Sequence, residues 1–157
     1  MILKTILPPL LKGGRGELIM SKATILFIKA SIIYFLLAAV LGVVMGIWHY
    51  NGIVIDALLF THVHFGLLGW MTMMVYGVGY HILPRFNGTP LYSPKMADIQ
   101  FWLANIGLIG MGVLWPILKI SQDDFGQLLL IISYIIEGIS VLLFVYNMFR
   151  TMNQKAK

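Results

Sequence analysis

Four long apolar stretches dominate this 157-residue chain, and they decide what kind of fold it can adopt. They cover residues 23–48, 52–83, 97–118 and 125–149. Each exceeds the roughly 20 residues that an α-helix needs to cross a bilayer. Because 59% of the residues are hydrophobic and only 11% are charged, an ordinary soluble domain is excluded. We therefore predict an all-α membrane protein with four transmembrane helices in an up-down bundle.

The basic residues predict how this bundle is oriented in the membrane. Lys and Arg gather before or early in the first stretch, between the second and third, and after the fourth, whereas Lys119 lies on the opposite side. Cytoplasmic loops carry such an excess of basic residues. We therefore expect a multi-pass protein of the inner membrane with both termini in the cytoplasm. Nucleic-acid binding is not expected, because the charges are not gathered on a soluble surface.

The apolar stretches also set the domain boundaries. Residues 21–150 hold all four and are predicted to form one transmembrane domain. Residues 1–20 contain a double proline and a Gly-Gly-Arg-Gly run, which favour neither a helix nor a secretory signal peptide. This segment is either a cytoplasmic arm or, if Met20 is the biological start, a start-site artefact. Residues 151–157 are predicted to form a cytoplasmic tail.

Two histidines, His62 and His64, interrupt the second apolar stretch. An imidazole within the membrane is costly and is by default a functional candidate. The chain has no cysteine, which excludes iron–sulfur clusters and covalent haem attachment. The pair therefore predicts a noncovalently bound haem, with an interhelical hydrogen bond as the alternative for either residue. Two residues correspond to about 200° of helix rotation, so the two rings point to opposite sides and cannot both reach one iron.

The helix face that carries His62 is rich in small residues. The positions that follow it at helical spacing are Gly66, Gly69, Met73 and Gly77. We predict that they leave a flat groove in which a porphyrin lies against the backbone, so that packing alone favours His62 as the haem ligand. The alternative is that the glycines permit close contact between helices, as small residues commonly do in membranes.

Three further residues are candidates for the site. His81 and His49 are interpreted as interfacial or capping residues, with metal ligation as the alternative for each. Glu137 lies near the middle of the fourth stretch, at a depth similar to that of the histidine pair. It either accepts a hydrogen bond from a ligand histidine and orients its ring, or it is a protonated acid in a helix–helix contact.

The segment that begins at Thr61 resembles the haem–copper oxidase catalytic subunit, subunit I, over roughly residues 61–115. The positions that carry the resemblance are His62, His64, Phe65, Gly77, His81, Pro84, Phe86, Gly88, Asp98, Gln100, Phe101, Trp102 and Asn105. They are similar to that subunit's haem-ligating tenth helix and the helix after it; the segment also resembles its second helix. The resemblance implies that His62 ligates a high-spin haem and His64 a low-spin haem. It also agrees with an N-terminus inside and ligands toward the outer face.

The chain also departs from the pattern of that family. The family's subunit has pseudo-threefold symmetry, and four helices correspond to one third of it. Its copper site needs further histidines from another repeat, and this sequence has no second histidine pair or triplet. We therefore expect haem b without a copper site, and not a complete terminal oxidase. Lys119 is the available substitute for the outer arginines that hold haem propionates in the family.

These observations lead to expectations about assembly and function. A six-coordinate haem needs two ligands, and symmetric association supplies both most simply, as a homotrimer or, alternatively, a homodimer. The expected function is electron transfer or the binding of a diatomic gas such as nitric oxide or oxygen. The alternatives are a quinol-linked oxidoreductase or oxidase accessory subunit with a redox partner protein, and a haem-free metal or proton transporter. Whether the chain is an enzyme stays open; if it is, we expect a haem-dependent membrane oxidoreductase.

Overall fold

The computed structural model describes residues 20–53 and 56–154, and the predictions for residues 1–19 and 155–157 lie outside the described residues. All regular structure in the described ranges is helical. The helices are α1 (Lys22–Tyr50), α2 (Asp56–Phe86), α3 (Pro94–Ser121) and α4 (Asp124–Met152). All four are long and apolar enough to cross a membrane. The prediction of an all-α membrane protein with four transmembrane helices is therefore confirmed.

Short polar side chains define where three of the helices begin. Ser21, Ser93 and Asp123 each accept a hydrogen bond from the backbone N–H three residues later, at distances of 3.2, 3.2 and 2.7 Å. Such caps satisfy N–H groups that have no partner inside the helix. Pro94 occupies the first turn of α3, where its missing N–H costs nothing. The ends of the spans are thus encoded locally.

Helix α2 changes its geometry directly after the histidine pair. It is α-helical from Asp56 to His64, π-helical over Phe65–Thr72 and α-helical again over Met73–Phe86. π-Helical segments are rare and occur frequently at functional sites. Because a π-helix holds more residues per turn, the residues after His64 are rotated relative to regular α-helical spacing. After His64, the residues that share one face of α2 therefore differ from those expected for a regular α-helix.

Helix α2 lies between its neighbours. It contacts α1 along its length, while its N-terminal part packs against α3 and its C-terminal part against α4. Helices α3 and α4 form a second extensive contact. The core is aromatic, with the Phe27 ring at centroid distances of 5.5 Å from Tyr76 and 5.2 Å from Phe101. This packing gives α2 a fixed position between α1 and α3.

Candidate functional site

His62 is half-buried and faces α1. Its Nδ1 lies 2.9 Å from the carbonyl oxygen of Ala38. A carbonyl oxygen can only accept, so Nδ1 carries the hydrogen and donates it, and in the neutral ring Nε2 keeps its lone pair. One turn further along α1, an ideal Cβ on Gly42 would come within 3.0 Å of His62 Cε1. Helix α1 therefore supplies both the hydrogen-bond acceptor and the space that this imidazole occupies.

His64 is also half-buried, but it is held by its own helix. Its Nδ1 donates to the carbonyl oxygen of Phe60 over 2.8 Å, which again leaves the Nε2 lone pair available. The imidazole stacks on the Phe60 ring with 3.8 Å between centroids. Phe60 in turn stacks on Trp115 of α3 with 4.3 Å between centroids and an interplanar angle of 14°. His64 thus caps an aromatic stack that joins α2 to α3.

The two histidines have the same hydrogen-bond state in different surroundings. A hydrogen bond from one ring nitrogen to a carbonyl fixes the tautomer and the ring orientation, and it is the usual support of a metal-ligating histidine. The rings contact different neighbours, in agreement with the opposite directions expected from their spacing. Their role as haem ligands stays a prediction.

The glycine groove expected beside His62 is largely filled by α1. An ideal Cβ on Gly69 would lie 2.5 Å from Cγ of Tyr34, so the Tyr34 ring rests on this glycine. Met73 is fully buried in the core. For Gly69 and Met73 the structure therefore supports helix packing rather than contact with a porphyrin, because α1 approaches where side chains are small. Gly66, in contrast, has open space around its missing Cβ.

Glu137 is 5% exposed on α4, and its Oε2 has no hydrogen-bond partner in the described part of the chain. An ideal Cβ on Gly107 of α3 would lie 2.8 Å from the Glu137 backbone nitrogen, so the two helices meet closely here. The orienting role predicted for Glu137 is filled at both histidines by backbone carbonyls. The geometry instead favours the alternative, an acid within a helix–helix contact.

Lys119 lies next to the aromatic stack rather than next to a histidine. Its Nζ is 5.3 Å from the centroid of the Trp115 ring. The Trp115 Nε1 is buried and has no partner in the described residues. A positive charge and an unpaired N–H donor therefore lie at the α3 end of the stack that holds His64. The role of Trp115 was missed in the sequence, where only its position four residues before Lys119 pointed to a contact.

The other two histidines are placed apart from the pair. His81 Nδ1 accepts a hydrogen bond from Arg85 Nη1 over 2.8 Å, and the same guanidinium also bonds the His81 carbonyl. His49 is exposed in the last turn of α1. Both placements match the interfacial or capping interpretation, and ligation by either stays untested. Residues 20–53 and 56–154 contain no cluster of three or more His, Cys, Asp or Glu side chains that could hold a metal ion.

The helices that build this region are also those shared with known proteins. A family model described as cytochrome c and quinol oxidase polypeptide I matches residues 5–121, a range that includes both histidines and the aromatic stack. The chain belongs to this family. The resemblance to haem–copper oxidase subunit I is thereby confirmed.

Curated relatives match over a shorter segment. Cytochrome c oxidase subunit 1 of Rhodobacter capsulatus is 47% identical over 49 residues, which is 31% of this chain and 9% of the relative. The cbb3-type cytochrome c oxidase subunit CcoN1 of Stutzerimonas stutzeri is 41% identical over 49 residues, 31% of this chain and 10% of the relative. A cytochrome c oxidase subunit 1 homolog of Agrobacterium tumefaciens strain T37 is 36% identical over 62 residues, 39% of this chain and 12% of the relative.

The chain therefore spans about a tenth of the length of these curated relatives. No solved structure matches it. The comparisons establish a multi-pass membrane protein related to haem–copper oxidases.

Proposed function

We propose that this chain is a membrane-embedded b-type haem protein in which His62 and His64 are axial ligands. The observation that carries the proposal is their shared hydrogen-bond state, with each Nδ1 donating to a backbone carbonyl and each Nε2 lone pair available. A neutral imidazole nitrogen of this kind is a common haem ligand. Family membership supports haem as the group that they bind.

The surrounding residues fit such a group. Leu59, Val63 and Leu67 are exposed apolar side chains next to the pair and suit the porphyrin plane. The ammonium group of Lys119, exposed at the end of α3, is a donor suited to a propionate carboxylate. When bound, a haem supplies an iron that exchanges one electron or coordinates a diatomic gas.

The protein's own residues determine which of these functions is available. The carbonyls of Ala38 and Phe60 hold the two rings in the ligating tautomer, and the Phe60–Trp115 stack shields one side of His64 from water. If two histidines bind one iron, no position is left for a gas and electron transfer follows. If one histidine binds, a gas such as nitric oxide or oxygen has access. No copper is expected, because copper would need further histidines near the pair.

We also propose a homo-oligomer, a trimer first and a dimer second. Each ring is only half-buried. In the most apolar part of each helix, no more than 39% of the residues are buried within one chain. A second copy could therefore cover a haem and offer the other axial ligand.

The basic residues favour an inner-membrane protein with both termini in the cytoplasm. Electrons would come from quinol or a redox partner protein.

The test is an oxidised and dithionite-reduced visible spectrum of the detergent-purified protein, with a pyridine haemochrome assay for haem per chain. We expect b-type bands that are lost or altered in His62→Ala and His64→Ala, and unchanged in the control His49→Ala. Carbon monoxide added to the reduced protein separates the two functions, because only an iron with an open position changes its spectrum. A colourless protein that stays colourless after haem addition would overturn the proposal and favour a haem-free metal or proton transporter.

A second candidate is an accessory subunit of a larger oxidase or oxidoreductase. The observation that favours it is the short matched segment, which covers about a tenth of each relative. This candidate predicts that the tagged chain co-purifies from its native membrane with another oxidase subunit. Recovery of the chain alone, with full haem content, would contradict it.

A further inference from the structure

A second polar region lies at the other end of α2 from the histidine pair, where the α2–α3 connection meets the end of α4. A cavity of about 480 Å³ opens there, lined by Tyr92, Arg150, Asn153 and Gln154. Every lining side chain offers a hydrogen-bond donor and none is acidic. The volume falls in the range of roughly 300–1,000 Å³ that small-molecule sites occupy.

The lining is held in place by the connection. The Tyr92 N–H donates to Thr151 Oγ1 over 3.1 Å. Ser93 and Asn147 exchange two hydrogen bonds, from Ser93 N–H to Asn147 Oδ1 over 3.1 Å and from Asn147 Nδ2 to the Ser93 carbonyl over 2.9 Å. The Arg150 guanidinium lies 4.8 Å from the centroid of the Tyr92 ring. These contacts hold the lining residues in place around the cavity.

The same connection donates hydrogen bonds to carbonyls at the end of α4. A helix C-terminus carries partial negative charge on carbonyls that lack an intrahelical partner. Here Asn87 Nδ2 donates to the Thr151 carbonyl over 3.0 Å and to the Gln154 carbonyl over 3.4 Å, and Thr89 Oγ1 donates to the Thr151 carbonyl over 3.4 Å. These two carbonyls are thus hydrogen-bonded, and Arg150 is the charged side chain of the lining.

We propose that this cavity binds an anionic phosphate group, either that of an anionic phospholipid headgroup or free phosphate. A guanidinium with neighbouring amide and phenol donors is the recognised chemistry for phosphate oxygens. The cavity lies at the ends of membrane-spanning helices, the level at which headgroups lie. Lys22 and Lys95, which begin or nearly begin α1 and α3, add positive charge at the same end of the bundle. The site is independent of the haem proposal.

The test uses the full-length protein in neutral detergent, with native mass spectrometry and thermal unfolding as readouts. The probes are phosphatidylglycerol, phosphatidylcholine and inorganic phosphate. We expect phosphatidylglycerol to be retained and to raise the unfolding temperature more than phosphatidylcholine does. Arg150→Gln should weaken this binding roughly tenfold or more, as loss of charge-assisted hydrogen bonds predicts. The control Lys29→Gln removes an exposed positive charge from α1, outside the lining, and should bind as the unaltered protein does.

Two further arms keep the result interpretable. If Arg150→Gln does not fold, Asn153→Asp places a negative charge in the lining at an exposed position and should also abolish the preference. An Arg150-dependent shift that inorganic phosphate reproduces alone would identify free phosphate as the ligand. Equal retention of both lipids, or a preference for phosphatidylglycerol that survives Arg150→Gln, would overturn the proposal.

Discussion

His62 and His64 lie two residues apart in one helix, yet different parts of the protein hold them. His62 donates to a carbonyl of α1 and fits against Gly42, whereas His64 donates to its own helix and stacks on Phe60. The orientation of His62 therefore depends on how two helices pack, while that of His64 depends mainly on α2 itself. Changes in α1 should disturb one imidazole and spare the other.

Removal of each imidazole in turn has the largest expected effect. His62→Ala and His64→Ala each remove one proposed axial ligand, so each should lose haem or change its spin state. Exogenous imidazole should restore the spectrum of a variant in which the cavity left by the removed side chain holds this small ligand. Haem titration with optical and electron paramagnetic resonance spectra measures both effects. If both variants gave the spectrum of the unaltered protein, neither His62 nor His64 would be a haem ligand.

The Tyr34–Gly69 contact tests how strongly α1 controls His62. Gly69→Ala places a Cβ 2.5 Å from Cγ of Tyr34, whose hydroxyl is held by Asn105 Oδ1 at 3.0 Å. We expect a destabilisation of about 1–3 kcal/mol, typical of overpacking. We also expect a changed spectrum for the haem that His62 binds. Gly66→Ala is the matched control, because its Cβ meets open space. Chemical unfolding in mild detergent gives the free energies, and equal values for the two variants would refute the packing argument.

A smaller change at Gly42 acts on His62 alone. Gly42→Ala brings a Cβ to 3.0 Å from Cε1, so the ring must shift by a few tenths of an ångström and its hydrogen bond to Ala38 is strained. We expect a shifted reduction potential and an altered low-spin signal with nearly unchanged stability. Gly46→Ala, one turn along the same helix and next to open space, should leave both unchanged. Matching potentials in the two variants would show that α1 does not position His62.

The aromatic stack gives the reverse test on His64. Trp115→Leu removes the outer ring of the stack, a contact worth about 0.5–1.5 kcal/mol, and should broaden the His64 signal while His62 is unaffected. Trp102→Leu is the control, because Trp102 is 63% exposed and lies outside the stack. Resonance Raman spectra of the iron–imidazole bond measure the effect. A response of His62 equal to that of His64 would break the proposed division between the two sites.

The smallest effect is expected at Glu137. Glu137→Gln keeps the shape of the side chain, and neither histidine donates to this carboxyl group. Because the buried side chain keeps its volume, we expect only a small change in the unfolding free energy and a preserved haem spectrum. A large spectral change would restore the orienting role that the sequence predicted for this residue.

The sequence alone determined the four membrane-spanning helices and the histidine pair. Long apolar runs have one stable solution in a bilayer, and two imidazoles inside such a run stand out without any structure. The His-x-His spacing also determined that the rings point apart, because two residues rotate a helix by about 200°. The resemblance carried by these residues was sufficient to identify the family.

Only the tertiary structure decided what surrounds each ring. The glycines after His62 suit a porphyrin or a helix equally well in sequence, and only the packing places the Tyr34 ring on Gly69. The π-helical segment also rotates the residues after His64 out of the expected register. The acceptors of both imidazoles are backbone carbonyls. Every residue carries such a group, so no side-chain pattern distinguishes the carbonyls that become partners until the helices meet.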